Sequence, residues 1–125
     1  MPGALVTDFI RSIERGELET ALGLLSEGCE YDNVPMGKVF GRDGVRNTLA
    51  PFLAGYDEVE WVVHHQVASG DRAHGVVMNE RVDRFRKGDA WVELPVAGVF
   101  EVRDGLITLW RDYFDRDTLL KMLGA

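Results

Sequence analysis

Two aspartates and an arginine are the residues of this chain best suited to acid-base chemistry. Period-two alternation along a predicted strand puts Arg81 and Asp83 on one face, next to the polar Asn79. Asp112 is the one charge in a row of a later predicted strand whose other members are Leu106, Thr108, Trp110 and Phe114. A carboxylate among apolar neighbours needs a partner or a function. Arg81 is the obvious partner if the sheet brings the two strands together.

Two carboxylates that share one guanidinium can divide the work of an acid and a base. Burial and mutual repulsion raise the pKa of one carboxyl group, while Arg81 keeps the other ionised. One group then donates a proton while the other accepts one, and the pair titrates as a unit. The alternative is that Arg81 and Asp83 lie on a solvated face of the strand, where charged residues are usually found.

The composition excludes several classes of partner. A chain of 125 residues with 46% hydrophobic content can bury one core, so we expect a single domain over 1–125. Its 21 acidic and 14 basic side chains give a net charge of -7, which repels nucleic acid and anionic membrane surfaces. The single cysteine, Cys29, excludes an internal disulfide and a multi-cysteine metal site. No apolar stretch approaches the length of a membrane span. We therefore expect a cytoplasmic protein with small neutral partners.

The first third of the chain predicts helices. An apolar stripe at three- and four-residue spacing predicts a first helix, which Gly16 would end, from Leu5, Phe9, Ile10 and Ile13. Residues 17–25 predict a second helix that ends before Gly28, so the two helices form a hairpin. A third helix is predicted over 41–53, and Pro51 is expected to end or distort it.

The second half of the chain predicts a sheet. Turns rich in glycine and aspartate separate runs of Val, Trp, Phe and Ile, which indicates a four-stranded antiparallel meander over residues 58–68, 73–86, 90–102 and 106–114. A shorter strand over 29–40 is expected to break at a proline-containing turn. Strands this long twist and curl around a cavity. A final helix capped by Asp115 would close the open side. The predicted fold class is α+β, with a curved sheet packed against amino-terminal helices and a carboxy-terminal helix.

Three segments resemble the active-site segments of the limonene-1,2-epoxide hydrolases. They are Tyr31-Asp32-Asn33-Val34-Pro35, Asn79-Glu80-Arg81-Val82-Asp83 and Trp110-Arg111-Asp112-Tyr113-Phe114-Asp115. The resemblance spans most of the chain and supplies all five polar residues of that family's site in the family's order. It implies the cone-shaped fold of the NTF2-like (nuclear transport factor 2-like), SnoaL-like or cystatin-like proteins, and the element order above is compatible with it.

The resemblance also implies a role for each polar residue. Asp112 would take a proton from a water molecule that Tyr31 and Asn33 hold in place. Asp83 would protonate the epoxide oxygen, and Arg81 would hold both carboxylates. The implied reaction adds water in one step to a small or medium apolar epoxide, such as a cyclic terpene-like one. It yields a vicinal diol and needs no metal and no organic cofactor. A homodimer through the exposed face of the sheet is also implied.

Several apolar residues are candidates for lining a substrate pocket, although core packing explains most of them equally well. They are Phe85, Leu94, Val96, Phe100, Trp110, Phe114 and Leu119. The histidines are weaker candidates. His64 and His65 are adjacent, point to opposite faces of a strand and have no third ligand at metal spacing, so we interpret them as structural. His74 follows a turn and is expected to be exposed.

Two other functions are compatible with these features. A ketosteroid isomerase-like or polyketide cyclase-like enzyme moves a proton between carbons with one base and an oxyanion donor, and it has no use for a second acid. A non-catalytic protein of the same fold would bind apolar ligands without turnover.

Overall fold

In the described part of the chain, six strands form one mixed sheet and four helices pack with it. The computed structural model describes residues 1–124. The helices are α1 (Pro2–Glu14), α2 (Leu18–Leu22), α3 (Gly41–Ala54) and α4 (Arg116–Met122). The strands are β1 (Leu25–Asn33), β2 (Gly37–Phe40), β3 (Glu58–Gly70), β4 (His74–Lys87), β5 (Ala90–Arg103) and β6 (Leu106–Tyr113). The predicted α+β class is confirmed.

The strand order in the sheet is β2-β1-β6-β5-β4-β3. Strands β3 to β6 form the predicted antiparallel meander. The segment predicted as one broken strand is a hairpin of β1 and β2, and β1 runs parallel to β6. This parallel pairing, which the sequence did not predict, attaches the amino-terminal half of the chain to the meander.

Strand β1 begins at Leu25, within the segment predicted as the second helix. That helix ends at Leu22. Leu25 pairs with Ile107 of β6, and the Ile107 N–H donates to the Leu24 carbonyl at 2.9 Å. Pairing with a long strand and full burial of Leu25 outweigh the helical pattern, because so short a helix has little stability of its own. The predicted helix over the last residues of 17–25 was therefore wrong.

Alternation along β4 separates a buried face from a more exposed one. The buried side chains are Val77, Asn79, Arg81, Asp83 and Phe85. Met78 and Glu80, which lie between them in sequence, are exposed. The interpretation of Arg81 and Asp83 as members of a solvated face is therefore excluded.

Strand β6 departs from strict alternation at Thr108, which the pairing with β5 skips. Ile107 is fully buried, whereas Leu106 and Thr108 are half-buried. The Thr108 hydroxyl donates to the Glu101 carbonyl at 3.3 Å. A bulge of this kind turns the strand by one residue. The predicted row that joined Leu106 and Thr108 to Asp112 was therefore wrong at its first two members.

The core lies between α1 and the inner face of the sheet. Phe9 of α1 is fully buried, and its ring meets Trp110 edge-on at 5.0 Å and Phe100 at 6.3 Å between centroids. Buried aromatic pairs of this geometry stabilise a core beyond the area they bury. Helix α1 thus holds β6 in place at Trp110.

The predicted helix signals are confirmed at two helix ends. The Asp115 carboxylate accepts hydrogen bonds from the Thr118 N–H at 3.0 Å and the Thr118 hydroxyl at 2.7 Å, so it caps α4. Helix α1 ends at Glu14, two residues before Gly16, whose φ is +74°. Helix α3 continues through Pro51 to Ala54. None of the helices within residues 1–124 is both long and apolar enough to cross a membrane.

Candidate active site

A buried arginine joins two buried aspartates on the inner face of the sheet. The Arg81 Nε donates to Asp83 Oδ1 at 2.8 Å, and its Nη2 donates to Asp83 Oδ2 at 3.3 Å. The same Nη2 donates to Asp112 Oδ2 at 2.7 Å. The three residues are between 1% and 5% exposed. One guanidinium therefore bridges two carboxylates that water scarcely reaches.

The arginine reaches Asp112 across an intervening strand. Arg81 lies on β4 and pairs with Val96 of β5, while Asp112 lies on β6 and pairs with Gly98 of β5. The guanidinium crosses β5 above Gly98. A methyl group at position 98 would overlap the Arg81 Nη1 and lie 3.1 Å from Asp112 Oδ1. Glycine at this position leaves the space that the bridge occupies.

The environment keeps a proton on Asp83 near neutral pH. Burial is the largest cause of the shift, and the negative charge of Asp112 acts in the same direction, while Arg81 opposes both. Together they raise the pKa of Asp83 to about 7. Burial alone would lower the pKa of Arg81, but the two carboxylates raise it by more, so the guanidinium is charged. Near neutral pH Asp83 is thus divided between its protonated and its ionised form.

Trp110 supports the second carboxylate. Its indole Nε1 donates to Asp112 Oδ1 at 3.0 Å, so Asp112 accepts one hydrogen bond on each oxygen. Trp110 was a candidate for the pocket wall together with Phe100. Both rings lie in the hydrophobic core instead, 1% and 0% exposed and stacked at 6.3 Å, because α1 covers this end of the sheet. Neither contributes to the cavity described below.

Tyr31 and Asn33 come to the site through the parallel pairing of β1 with β6. Tyr31 pairs with Trp110, and Asn33 pairs with Asp112. The Tyr31 ring stacks on Trp110 at 3.9 Å with planes 12° apart. Burial, followed by the negative charge of Asp112, raises the pKa of Tyr31, so its hydroxyl stays protonated at neutral pH. The structure therefore sets a phenol and an amide beside Asp112.

A cavity of about 210 Å³ opens on this cluster. Five of the predicted pocket residues line it, namely Phe85, Leu94, Val96, Phe114 and Leu119. The polar residues in its wall are Tyr31, Asn33, Thr48, Asp83 and Asp112. Arg81 lies behind the two carboxylates and is not among the described lining residues. The cavity thus presents both acids to an otherwise mainly apolar space.

The family of the chain follows from comparison with known proteins. The sequence model of the limonene-1,2-epoxide hydrolase catalytic domain matches residues 2–124. The chain belongs to the limonene-1,2-epoxide hydrolase family. The resemblance noted from the three segments is confirmed.

Comparisons with epoxide hydrolase sequences and structures from Mycobacterium tuberculosis illustrate the family relationship. Epoxide hydrolase EphG is 35% identical over 119 residues, which cover 94% of this chain and 76% of that protein. A solved structure of a limonene-epoxide-hydrolase-like epoxide hydrolase is 33% identical, with a TM-score of 0.74 and coverage of 94% of this chain and 81% of that one.

More distant structures share the fold alone. A putative dehydratase of the NTF2-like family from Streptomyces avermitilis has a TM-score of 0.78 at 16% identity, and the match covers 90% of this chain and 92% of that one. The predicted fold family is confirmed by this likeness, which carries no information on activity.

The rest of the cavity wall was not among the predicted pocket residues. It consists of Met36, Thr48, Leu49, Phe52, Trp61 and Leu123. Leu49 and Phe52 lie within the predicted third helix, where three-residue spacing of apolar side chains does not distinguish a cavity wall from a core contact. Trp61 is 3% exposed. The Arg81 Cζ lies over the face of its ring, 5.0 Å from the ring centroid, which is a cation–π contact. The Trp61 Nε1 is the one buried side-chain polar atom without an acceptor in the described part of the chain.

The histidines lie away from this cluster. His64, His65 and His74 are exposed, and His65 Nδ1 lies 3.0 Å from a Glu80 carboxylate oxygen on the surface. Over residues 1–124 no three His, Cys, Asp or Glu side chains come together as a metal site would require.

The raised pKa of Asp83 makes the stability of the protein depend on pH. The folded state holds this proton up to about pH 7, whereas the unfolded chain releases it near pH 3.8. Protonation of Asp83 stabilises the folded state fully below about pH 3.8. This stabilisation is lost as the pH rises through about 7. We expect Asp83→Asn to gain about 4 kcal/mol in free energy of unfolding relative to the wild type between about pH 4 and pH 8. Urea denaturation at several pH values measures this.

Asp89→Asn in the exposed turn before β5 is the matched control for removal of a carboxylate, and it should change the free energy of unfolding by less than about 0.5 kcal/mol. A constant difference between the wild type and Asp83→Asn would contradict a proton held by Asp83.

Proposed function

We propose that this chain is an epoxide hydrolase that adds water in one step to a small or medium apolar epoxide, giving a vicinal diol without a cofactor. The observation that carries the proposal is the pair of carboxylates joined by Arg81 at the wall of an apolar cavity. Membership of the limonene-1,2-epoxide hydrolase family supports the same chemistry. The division of roles follows from the surroundings of each carboxylate.

Asp112 is the base in this proposal. Its two oxygens accept hydrogen bonds from Arg81 and Trp110, and both donors stabilise its negative charge. It faces the cavity beside Tyr31 and Asn33, whose hydroxyl and amide can hold a water molecule against it. A water fixed by three polar groups is oriented for attack before the substrate arrives.

Asp83 is the acid. Its pKa of about 7 leaves a large fraction of it protonated at neutral pH, and it faces the same cavity. A carboxylic acid with a pKa near the working pH is the most effective proton donor in a general-acid step. It is placed to protonate the epoxide oxygen as the ring opens.

The proposed step balances in protons and bonds. The water oxygen forms a bond to one ring carbon while the bond from that carbon to the epoxide oxygen breaks. The water gives its proton to Asp112, and Asp83 gives its proton to the departing oxygen. Asp112 is then protonated and Asp83 ionised, so one proton must return from Asp112 to Asp83 before the next turnover.

The cavity supports a neutral, mainly apolar substrate. Among the described residues that line it, none carries a positive charge, and two are acids. An epoxide bearing a carboxylate or phosphate would be repelled by Asp112. The volume of about 210 Å³ is below the roughly 300–1,000 Å³ typical of sites for drug-sized ligands, which favours a small or medium molecule.

Replacing either carboxylate should nearly abolish turnover. We expect Asp83→Asn and Asp112→Asn each to lower kcat for diol formation by about 10²–10⁴, because each variant loses one proton transfer. The wild-type kcat/KM should decline above about pH 7 as Asp83 loses its proton. Diol formation from a panel of cyclic and linear epoxides, followed by chiral chromatography, measures both effects. Asp89→Asn is the control. Undiminished turnover in Asp112→Asn would contradict the proposed roles.

An isotope experiment separates one-step addition from the alternatives. With enzyme in excess over epoxide in ¹⁸O-labelled water, one-step addition places ¹⁸O in the diol formed in the first turnover. A covalent ester with an aspartate would instead place an unlabelled carboxylate oxygen in that diol. An isomerase-like or cyclase-like enzyme would form no diol, and a binding protein would return the epoxide unchanged. Mass spectrometry of the product distinguishes these outcomes.

We also propose that the chain forms a homodimer through the outer face of the sheet. Two exposed apolar side chains, Val67 and Met78, face each other across β3 and β4, and the half-exposed Tyr113 lies on the same face. Apolar patches of this kind commonly mark protein contacts. Light scattering should give about twice the chain mass of 14.0 kDa, and Met78→Lys should reduce it to one chain mass. A wild-type mass of one chain at micromolar concentration would rule out the dimer.

A further inference from the structure

Asn79 is a buried partner of the arginine that the proposed reaction does not use. Its Oδ1 accepts a hydrogen bond from Arg81 Nη1 at 3.1 Å, and its Nδ2 donates to Gln66 Oε1 at 3.2 Å. Gln66 Nε2 in turn donates to the Gly3 carbonyl in α1 at 3.4 Å. Asn79 is 5% exposed and is not among the described residues that line the cavity. A chain of hydrogen bonds thus runs from the arginine to the first helix.

The polarity of this chain is determined by the arginine. A guanidinium only donates hydrogen bonds, so Asn79 must present its oxygen to Arg81 and its amide nitrogen to Gln66. Gln66 must then present its oxygen to Asn79, and its nitrogen is left for a carbonyl. Each amide has one orientation that satisfies both neighbours. The network therefore resists rotation of the guanidinium.

The strand register places these residues in one row. Gln66, Asn79, Gly98 and Asp112 are direct neighbours on β3, β4, β5 and β6. A methyl group at position 98 would lie 2.9 Å from Asn79 Oδ1 as well as overlapping the arginine. Gly98 therefore leaves space for the guanidinium, and the Asn79 side chain bounds that space on one side.

We propose that Asn79 is a positioning residue that fixes the Arg81 guanidinium, in the space left by Gly98, in the orientation that bridges Asp83 and Asp112. The inference rests on the proposed hydrolase function. Without this contact Arg81 keeps its charge, but its Nη1 loses the acceptor that sets the rotation of the group. The bridge to one carboxylate or the other then lengthens.

A neutral amide at this position preserves the charge balance of the cluster. The ionisable groups that face Asp83 are Arg81 on its own strand, Asp112 on β6, Glu14 on α1 and Tyr31 on β1. A carboxylate in place of Asn79 would compete with Asp83 for Arg81. It would also add a like charge nearby, and both effects favour the protonated form of Asp83.

The isosteric variant Asn79→Asp tests the inference through the pH profile. We expect the upper pH limit of kcat/KM to rise by about one pH unit, because Asp83 keeps its proton to higher pH. Titration of the Asp83 carboxyl carbon by NMR, without substrate, should show the same rise. Asn47→Asp in α3 makes the same chemical change at an exposed position and should leave both quantities unchanged. An unshifted pH limit or an unshifted Asp83 titration in Asn79→Asp overturns the inference.

The variant Asn79→Ala tests positioning without a new charge. We expect kcat to fall by about 10- to 100-fold, as for a small displacement of a catalytic group, with KM changed less than about twofold because Asn79 does not form the cavity wall. A loss confined to KM, or no loss, overturns the inference. If the wild type forms no diol from any epoxide, the proposed function fails, whereas the substrate-free NMR titration still decides whether Asn79 acts on the cluster.

Two further variants keep the inference testable if position 79 does not tolerate substitution. Gln66→Leu removes the acceptor of the Asn79 amide, and we expect kcat to fall several-fold with KM unchanged. Gly98→Ala places a methyl group on the path of the guanidinium, whereas Gly28→Ala on β1 meets nothing within 4 Å and serves as its control. We expect a large loss of kcat in Gly98→Ala alone. Full activity in both Gln66→Leu and Gly98→Ala overturns the inference.

Discussion

The structure depends on one buried positive charge. Arg81 is 1% exposed, and moving a charge of this size out of water costs several kcal/mol unless partners replace its hydration. Asp83 and Asp112 supply three oxygens for this purpose, but two ionised carboxylates around one guanidinium would leave an excess negative charge in a dry site. Retention of a proton on Asp83 removes that excess. The same constraint that makes the cluster tolerable in the interior therefore favours a proton on one of its acids.

The neighbouring side chains follow from this constraint. Because Arg81 reaches Asp112 across β5, the residue beneath the guanidinium has to be small, and it is Gly98. The Trp61 ring covers one face of the guanidinium, with its centroid 5.0 Å from the Arg81 Cζ. At the edge of the group, Asn79 Oδ1 accepts a hydrogen bond from Nη1. Each neighbour excludes water while adding no charge. Dry surroundings also strengthen every electrostatic interaction inside the site, which is the condition under which two carboxylates so close together differ in protonation.

The features that depend on local pattern were predictable, whereas those that depend on distant pairing were not. Alternation along β4 placed Arg81 and Asp83 on one face, and the turn residues divided the meander correctly, because side-chain direction in a strand has a period of two. The parallel pairing of β1 with β6 depends on hydrogen bonds between segments about 80 residues apart, and nothing in either segment encodes its partner. The bulge at Thr108 likewise depends on the register with β5. Without that pairing, Tyr31 and Asn33 could be connected to Asp112 only by family resemblance.

The arrangement also explains how such a site can return to its starting state in the proposed reaction. One turnover leaves the proton on Asp112 instead of Asp83, so the two carboxylates exchange protonation states. The cluster of Arg81, Asp83 and Asp112 is neutral before and after this exchange, and the Arg81 Nη2 contacts both carboxylates in the resting arrangement. The surrounding core therefore experiences no change in net charge and has no need to reorganise. A guanidinium that bridges both acids lets a rigid sheet support a reaction in which the acid and the base exchange a proton in every cycle.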